Sequence, residues 1–189
     1  FIGVRDERTG AHMADGYARV SNQPGVILAG QNGPGATNLV TGIAQAAAAF
    51  SPVISIAGFI STKDKIQDAF QGIDQQSLFE PITKKTWTVT KVKKIPKIFS
   101  KAFNLAMSPK RGPVQLNLPR NILSETAKFN INNGEKSYKT IDTTKAKKGD
   151  IKKAVKIVCA ATKPVIIVGG GIKYTGNYKE VIKLAELIN

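Results

Sequence analysis

Two short apolar runs constrain this chain more than anything else in it. "GVILAG" at 25–30 and "PVISIAG" at 52–58 are bounded by glycine or proline. Neither alternates between apolar and polar residues, and both are short for a helix. Such runs mark buried strands of a parallel sheet. Between them stands "LVTGIAQAAAAF", a small-residue helix able to pack closely on a sheet. Ahead of them, "RTGAHMADGYARV" reads as a helix with Thr9 as its N-cap and Ala11, Ala14, Tyr17 and Ala18 on one face. "FIGVRDE" reads as a buried strand ending in charge. This alternation predicts an α/β domain built on a parallel sheet.

The rhythm continues less regularly. "FISTKDKIQDAFQGIDQQ" is polar and loop-rich, and "SLFEPITKKTWTVT" leads to a short strand. "IPKIFSKAFNLAMS" is amphipathic, with Ile98, Ala102, Leu105 and Ala106 on one side. "GPVQLNLPRNI" is a strand closed by a turn at Pro119. Residues 125–148 are polar, rich in Lys and Asn and poor in aliphatics, as an interdomain linker would be. We therefore expect a first domain over 1–124, that linker, and the start of a second α/β domain over 149–189. The second opens with the helix "DIKKAVKIVCAA", the strand "KPVIIVGGG" and the helix "NYKEVIKLAELI". Both ends read as cut from a longer protein.

The formal net charge is +15 over 189 residues, which raises the question of nucleic acid. The lysines are dispersed and are not set among stacking aromatics, and no zinc-finger spacing or RNA-binding aromatic motif occurs. The expectation is no nucleic-acid partner, with a nucleotide- or nucleic-acid-binding module kept as the non-enzymatic alternative. No apolar run approaches the roughly 20 residues that cross a bilayer, so no membrane partner is expected. Cys159 is the one cysteine, which rules out an internal disulfide and reads as a small core residue. No clustered His, Cys and carboxylate set predicts a metal site.

Three short stretches carry candidate chemistry. "VIIVGGGIKYTG" has the setting of a dinucleotide turn, with Gly169 and Gly171 in the first two positions but Tyr174 in the third. A tight turn without a ligand explains it equally well. "QNGPGATN" is a loop that is stiff and bare of side chains, so a flat ligand could approach its main chain. It lacks the Lys-Ser/Thr ending of a triphosphate-binding loop. Glu7 falls at the carboxyl edge of the expected sheet, where α/β proteins bind ligands, in surroundings read as apolar and suited to proton exchange. Its plainer reading is a carboxylate stabilising a helix N-terminus, a part Asp6 could equally play. His12, alone on a helix, reads as a packing residue.

Taken in order, "RDERTGAHMADGYARV", "GVILAGQNGPGATNLVTGIA", "SPVISIAG", "DAFQGID", "PITKKTWTV" and "GPVQLNLPRNI" resemble the N-terminal, pyrimidine-binding domain of thiamine-diphosphate-dependent enzymes. The resemblance is nearest to the acetolactate synthase group and holds from Phe1 to about Ser124. The stretch from about Lys148 resembles the start of that family's central domain.

The resemblance implies a decarboxylase and carboligase that joins a 2-keto acid to a second carbonyl, pyruvate to acetolactate. In the family, the glutamate matching Glu7 hydrogen-bonds N1′ of the cofactor's aminopyrimidine and favours its imino tautomer, which activates C2 of the thiazolium. Glu7 is thus the implied catalytic residue. Gly33, Pro34, Gly35 and Asn38 are implied to hold the cofactor, with Gln31, Phe70, Gln71 and Lys84 on the substrate side. The implied cofactors are thiamine diphosphate and Mg²⁺, and FAD is left open because some acetolactate synthases bind it partly through the central domain. The family holds Mg²⁺ through a C-terminal Gly-Asp-Gly motif that does not occur here, so this stretch alone is expected to be inactive. A cytoplasmic homodimer or homotetramer with its site between subunits is implied.

The chain also departs from its family. Asp6 stands where His is usual, Gln31 and Asn32 where Thr-Ser is usual, and Gly72 where Glu is usual. "QNGPG" and "QLNLPR" look more like sulfoacetaldehyde acetyltransferase, which makes acetyl phosphate. That relative is the alternative enzymatic reading.

Overall fold

The computed structural model describes residues 1–30, 32–129 and 146–188. The chain divides into two compact units, Phe1–Ile141 and Asp142–Asn189, a division that falls among residues outside that description.

In the first unit, β1 (Gly25–Ala29), β2 (Val53–Phe59), β3 (Thr86–Thr88) and β4 (Val114–Pro119) form one sheet in the order β1-β2-β4-β3. Every pairing is parallel, with Ile27 opposite Ser55, Ser55 opposite Gln115 and Gln115 opposite Thr86. Parallel strands need crossovers, and helices supply them. α1 (Glu7–Ser21), α2 (Pro34–Ala48) and α3 (Gln75–Phe79) lie on one face. Their side chains join Ile27, Ala29, Val53 and Ala57 in one core cluster around Leu39, Ile43 and Phe79. α4 (Ile95–Met107) and the single turn α5 (Arg120–Leu123) cover the other face. There Ala102, Ala106 and Ile122 meet Ile54, Ile56, Leu116 and Leu118. The result is the expected α/β layering, helices over both faces of a parallel sheet.

Small residues let α1 and α2 touch. A Cβ on Gly42 would overlap the Cβ of Ala11, so only glycine keeps these helices at their present distance. Burial on α1 falls on Gly10, Ala11, Ala14, Asp15 and Ala18, while Tyr17 is exposed. Asp15, four residues after Ala11, falls on the buried face, whereas Tyr17 lies about 200° round the helix from Asp15. Arg19, one turn on, donates Nε to Asp15 Oδ1 at 2.9 Å and Nη2 to Oδ2 at 2.7 Å. A carboxylate so paired can be buried.

Several expectations are corrected here. The N-cap of α1 is Asp6, not Thr9, because Asp6 Oδ1 accepts the Arg8 amide at 2.8 Å from an extended backbone. Residues 1–4 are exposed and form no strand, since no neighbouring strand supplies their backbone partners. β1 is buried on one face only. Val26 and Leu28 are half-exposed, because α4 reaches β2 and β4 but not this edge strand. Of the "QNGPGATN" stretch, only Asn32 and Gly33 among the described residues precede the helix. Pro34, with its φ fixed by its ring, begins α2.

The second unit contains α6 (Lys148–Ala160), α7 (Ile172–Thr175) and α8 (Tyr178–Ile188). The two longer helices fall where expected. The "KPVIIVGGG" strand does not form a ladder, and Val165 and Ile167 are exposed, because no second strand is described in this unit to pair with it. Cys159 is exposed on α6 rather than in a core. No helix among the described residues is long and apolar enough to cross a membrane.

Candidate active site at the carboxyl edge of the sheet

α1 turns directly into β1, and α2 leaves directly from its end. The two helices therefore run against β1, and both begin at the carboxyl edge of the sheet. Glu7 opens α1 and Asn38 sits near the start of α2. Asn38 Nδ2 donates to Glu7 Oε2 at 3.0 Å. The other oxygen, Oε1, accepts no hydrogen bond among the described residues. Glu7 is partly buried, with the Asn38 amide beside it, so its surroundings are polar where an apolar setting was expected. Asp6 next to it is a cap, and Arg8 holds its carboxyl below the usual range by hydrogen bonds and charge. One carboxylate closes the helix end, which leaves the other available to a ligand.

The turn between β1 and α2 is built for close approach. Gly33 has φ +58° and ψ −103°, a backbone that side chains resist. A Cβ there would overlap the carbonyl oxygen of Gln71. The segment carrying Phe70 and Gln71 thus lies directly on Gly33. Asn32 Nδ2 donates to Gln71 O at 3.2 Å. Beyond the carboxyl ends of β2 and β4 these residues line a cavity of about 480 Å³, with Asp64, Lys65 and Arg120 on its wall. Arg120 Nη2 meets Asp64 Oδ2 at 2.7 Å across its rim.

The structure gathers Glu7, Gly33, Pro34, Gly35, Asn38, Phe70 and Gln71 at one edge of the sheet. Gln31 lies outside the described residues. Lys84 is not with them. Its backbone N–H bonds to Pro113 O, just ahead of β4, which puts it at the amino edge. Its Nζ donates to Leu105 O and Ser108 Oγ, both at 2.6 Å, and to Ser108 O at 3.2 Å. Here the lysine caps the carboxyl end of α4, and burial lowers its pKa from the usual lysine value. The substrate-side placement of Lys84 does not appear within this chain.

Sequence reasoning did not single out Asn32 as a contact of the 70–71 turn, nor the Asp64–Arg120 pair. Both join residues more than fifty or nearly forty positions apart, and no local pattern signals them. Among the described residues, no group of three or more His, Cys, Asp or Glu stands together as a metal site.

A carboxylate with one oxygen held and one left over, beside a turn without side chains, suits a flat heteroaromatic ring that shares a proton. Residues 1–78 match the family model "Thiamine pyrophosphate enzyme, N-terminal TPP binding domain". Residues 1–78 are thus similar to the N-terminal cofactor-binding domain of thiamine pyrophosphate enzymes. Over its length the chain is similar to acetolactate synthase large subunits. It is 42% identical to the probable acetolactate synthase large subunit of Methanococcus aeolicus, over 98% of this chain and 31% of that protein. It is 43% identical to the acetolactate synthase large subunit of Buchnera aphidicola, over 100% of this chain and 33% of that protein. Against the acetolactate synthase isozyme 3 large subunit of Escherichia coli, identity is 38% over 98% of this chain and 33% of the relative. The chain thus spans about a third of the length of the curated relatives it matches.

Proposed function

We propose that this chain supplies the aminopyrimidine half of the active site in a thiamine-diphosphate-dependent 2-keto acid carboligase that makes acetolactate from pyruvate. The observation that carries the reading is the Glu7–Asn38 pair beside Gly33. Glu7 Oε1 is the atom that holds the shared proton against the ring. Asn38 occupies Oε2 and keeps the carboxylate in one orientation. Gly33 and Pro34 offer a stiff, bare main chain on which a flat ring can lie. The bound cofactor supplies the carbon nucleophile and electron sink for decarboxylation. The similarity to acetolactate synthase large subunits along the whole chain supports the substrate.

The reading extends to the assembly. The protein works as a homodimer or homotetramer in the cytoplasm, with a second copy completing the site. Mg²⁺ serves the diphosphate, and FAD is an accessory ligand.

The test uses the full-length protein that carries this chain, with thiamine diphosphate, Mg²⁺ and pyruvate alone. Acetolactate should form, and Glu7→Gln should lower turnover at least about a hundredfold, the scale of a lost acid–base group. Acetyl phosphate from sulfoacetaldehyde and phosphate, with no acetolactate from pyruvate, would replace this reading with the acetyltransferase.

A further inference from the structure

We propose that Asn32 is a positioning residue: its side-chain amide fastens the Phe70–Gln71 turn to the β1–α2 turn and so fixes the wall those two residues give to the cavity. The proposal rests on the reading above for its substrate.

Three observations meet at this point. Asn32 Nδ2 donates to Gln71 O at 3.2 Å and stands 3.5 Å from Phe70 O, so one amide group faces two successive carbonyls. Gln71 has φ +58°, a left-handed conformation that a non-glycine residue keeps only where its surroundings hold it. Phe70 is 86% exposed, so its own packing does not hold the turn in place. The Gly72 N–H to Ala69 O bond at 2.9 Å closes the turn from within, and the Asn32 amide and the contact with Gly33 fasten it to the start of α2.

The arrangement explains why the residue at 32 needs a donor. A carboxylate there would present oxygen to carbonyl oxygen, and an apolar side chain would leave the Gln71 carbonyl without this partner. The cavity wall carries Asn32, Phe70 and Gln71 but not Glu7. Loosening the turn therefore changes how a substrate is received more than how the proton is handled at Glu7. The signature is a rise in KM that outweighs the fall in kcat.

The test compares Asn32→Asp and Asn32→Leu with wild type in the full-length protein. Initial rates are taken over a pyruvate series at saturating thiamine diphosphate and Mg²⁺. Limited trypsin digestion is followed in parallel for cleavage after Lys65, which lies exposed in the same segment. In both variants KM for pyruvate should rise about tenfold, the scale of one lost hydrogen bond, with kcat falling less than threefold. Cleavage after Lys65 should accelerate about tenfold. An unchanged KM in both variants, or a fall in kcat alone, overturns the proposal. If wild type makes no acetolactate, the functional reading fails by itself, and trypsin decides the clamp: an unchanged cleavage rate in both variants overturns it.

Discussion

Asn38 on α2 donates to the Glu7 carboxylate on α1 across 3.0 Å, tying together the starts of two helices at the same sheet edge. The bond fixes a rotamer that a half-exposed glutamate would otherwise sample freely. Asn38→Ala is expected to lower kcat about tenfold, since a mispositioned acid–base group loses part of its contribution. Steady-state turnover at saturating cofactor checks this, and an unchanged kcat would show that Glu7 needs no such support.

Lys84 offers a second test. Its ammonium satisfies the last carbonyls of α4. Lys84→Met is expected to remove about 1–2 kcal/mol of stability, the scale of a charge-assisted hydrogen bond at a helix carboxyl end. The readout is the apparent melting temperature beside KM for pyruvate. A lower melting temperature with little change in KM fits the cap. A raised KM with unchanged melting would put Lys84 on the substrate path instead.

Asp74 makes a pH-dependent contribution. It caps α3 by accepting from Ser77 N at 3.1 Å and Ser77 Oγ at 2.6 Å, and these bonds lower its pKa. A depressed carboxylate stabilises the fold at every pH above its unfolded value of about 3.9, and that stability drains away as pH falls through the folded value. As the loss of an exposed, solvent-screened N-cap, Asp74→Ala should cost at most about 1 kcal/mol at pH 7, with the gap to wild type narrowing only below about pH 4. Thermal melts from pH 3 to 7 check it, and a gap that persists undiminished at pH 3 would assign the cost to packing.

Gly42 is the last of the set. Because its Cβ would overlap Ala11, Gly42→Val should force α1 and α2 apart. Overpacking of this kind costs about 1–3 kcal/mol. The same shift should stretch the bond from Asn38 to Glu7, so turnover should fall together with melting temperature. Loss of stability with full turnover would separate helix packing from the site.

The parallel sheet was legible from "GVILAG" and "PVISIAG" because a run without alternation has few other uses. The site was legible in part. Glu7, Gly33 and Asn38 lie in local motifs whose order survives in the fold. What escaped was set at long range. Nothing near Val26 and Leu28 says that α4 stops short of β1, and nothing near Lys84 says that α4 ends beside it. Asp15 shows the limit of reading burial from residue type. It sits four residues after Ala11, on the buried face, yet its carboxylate argued for solvent, and the pairing with Arg19 is what lets it be buried there.

The six residues of β4, at about 3.3 Å each, separate the edge that bears Glu7 from the edge that bears Lys84 by about 20 Å. Groups so far apart with no shared neighbours alter folding and chemistry independently, and their effects add. The pocket can therefore be retuned through Asn32, Phe70 or Gln71 without spending the stability stored at the far end of the strands. One scaffold can carry different linings of this cavity while its melting behaviour stays nearly constant.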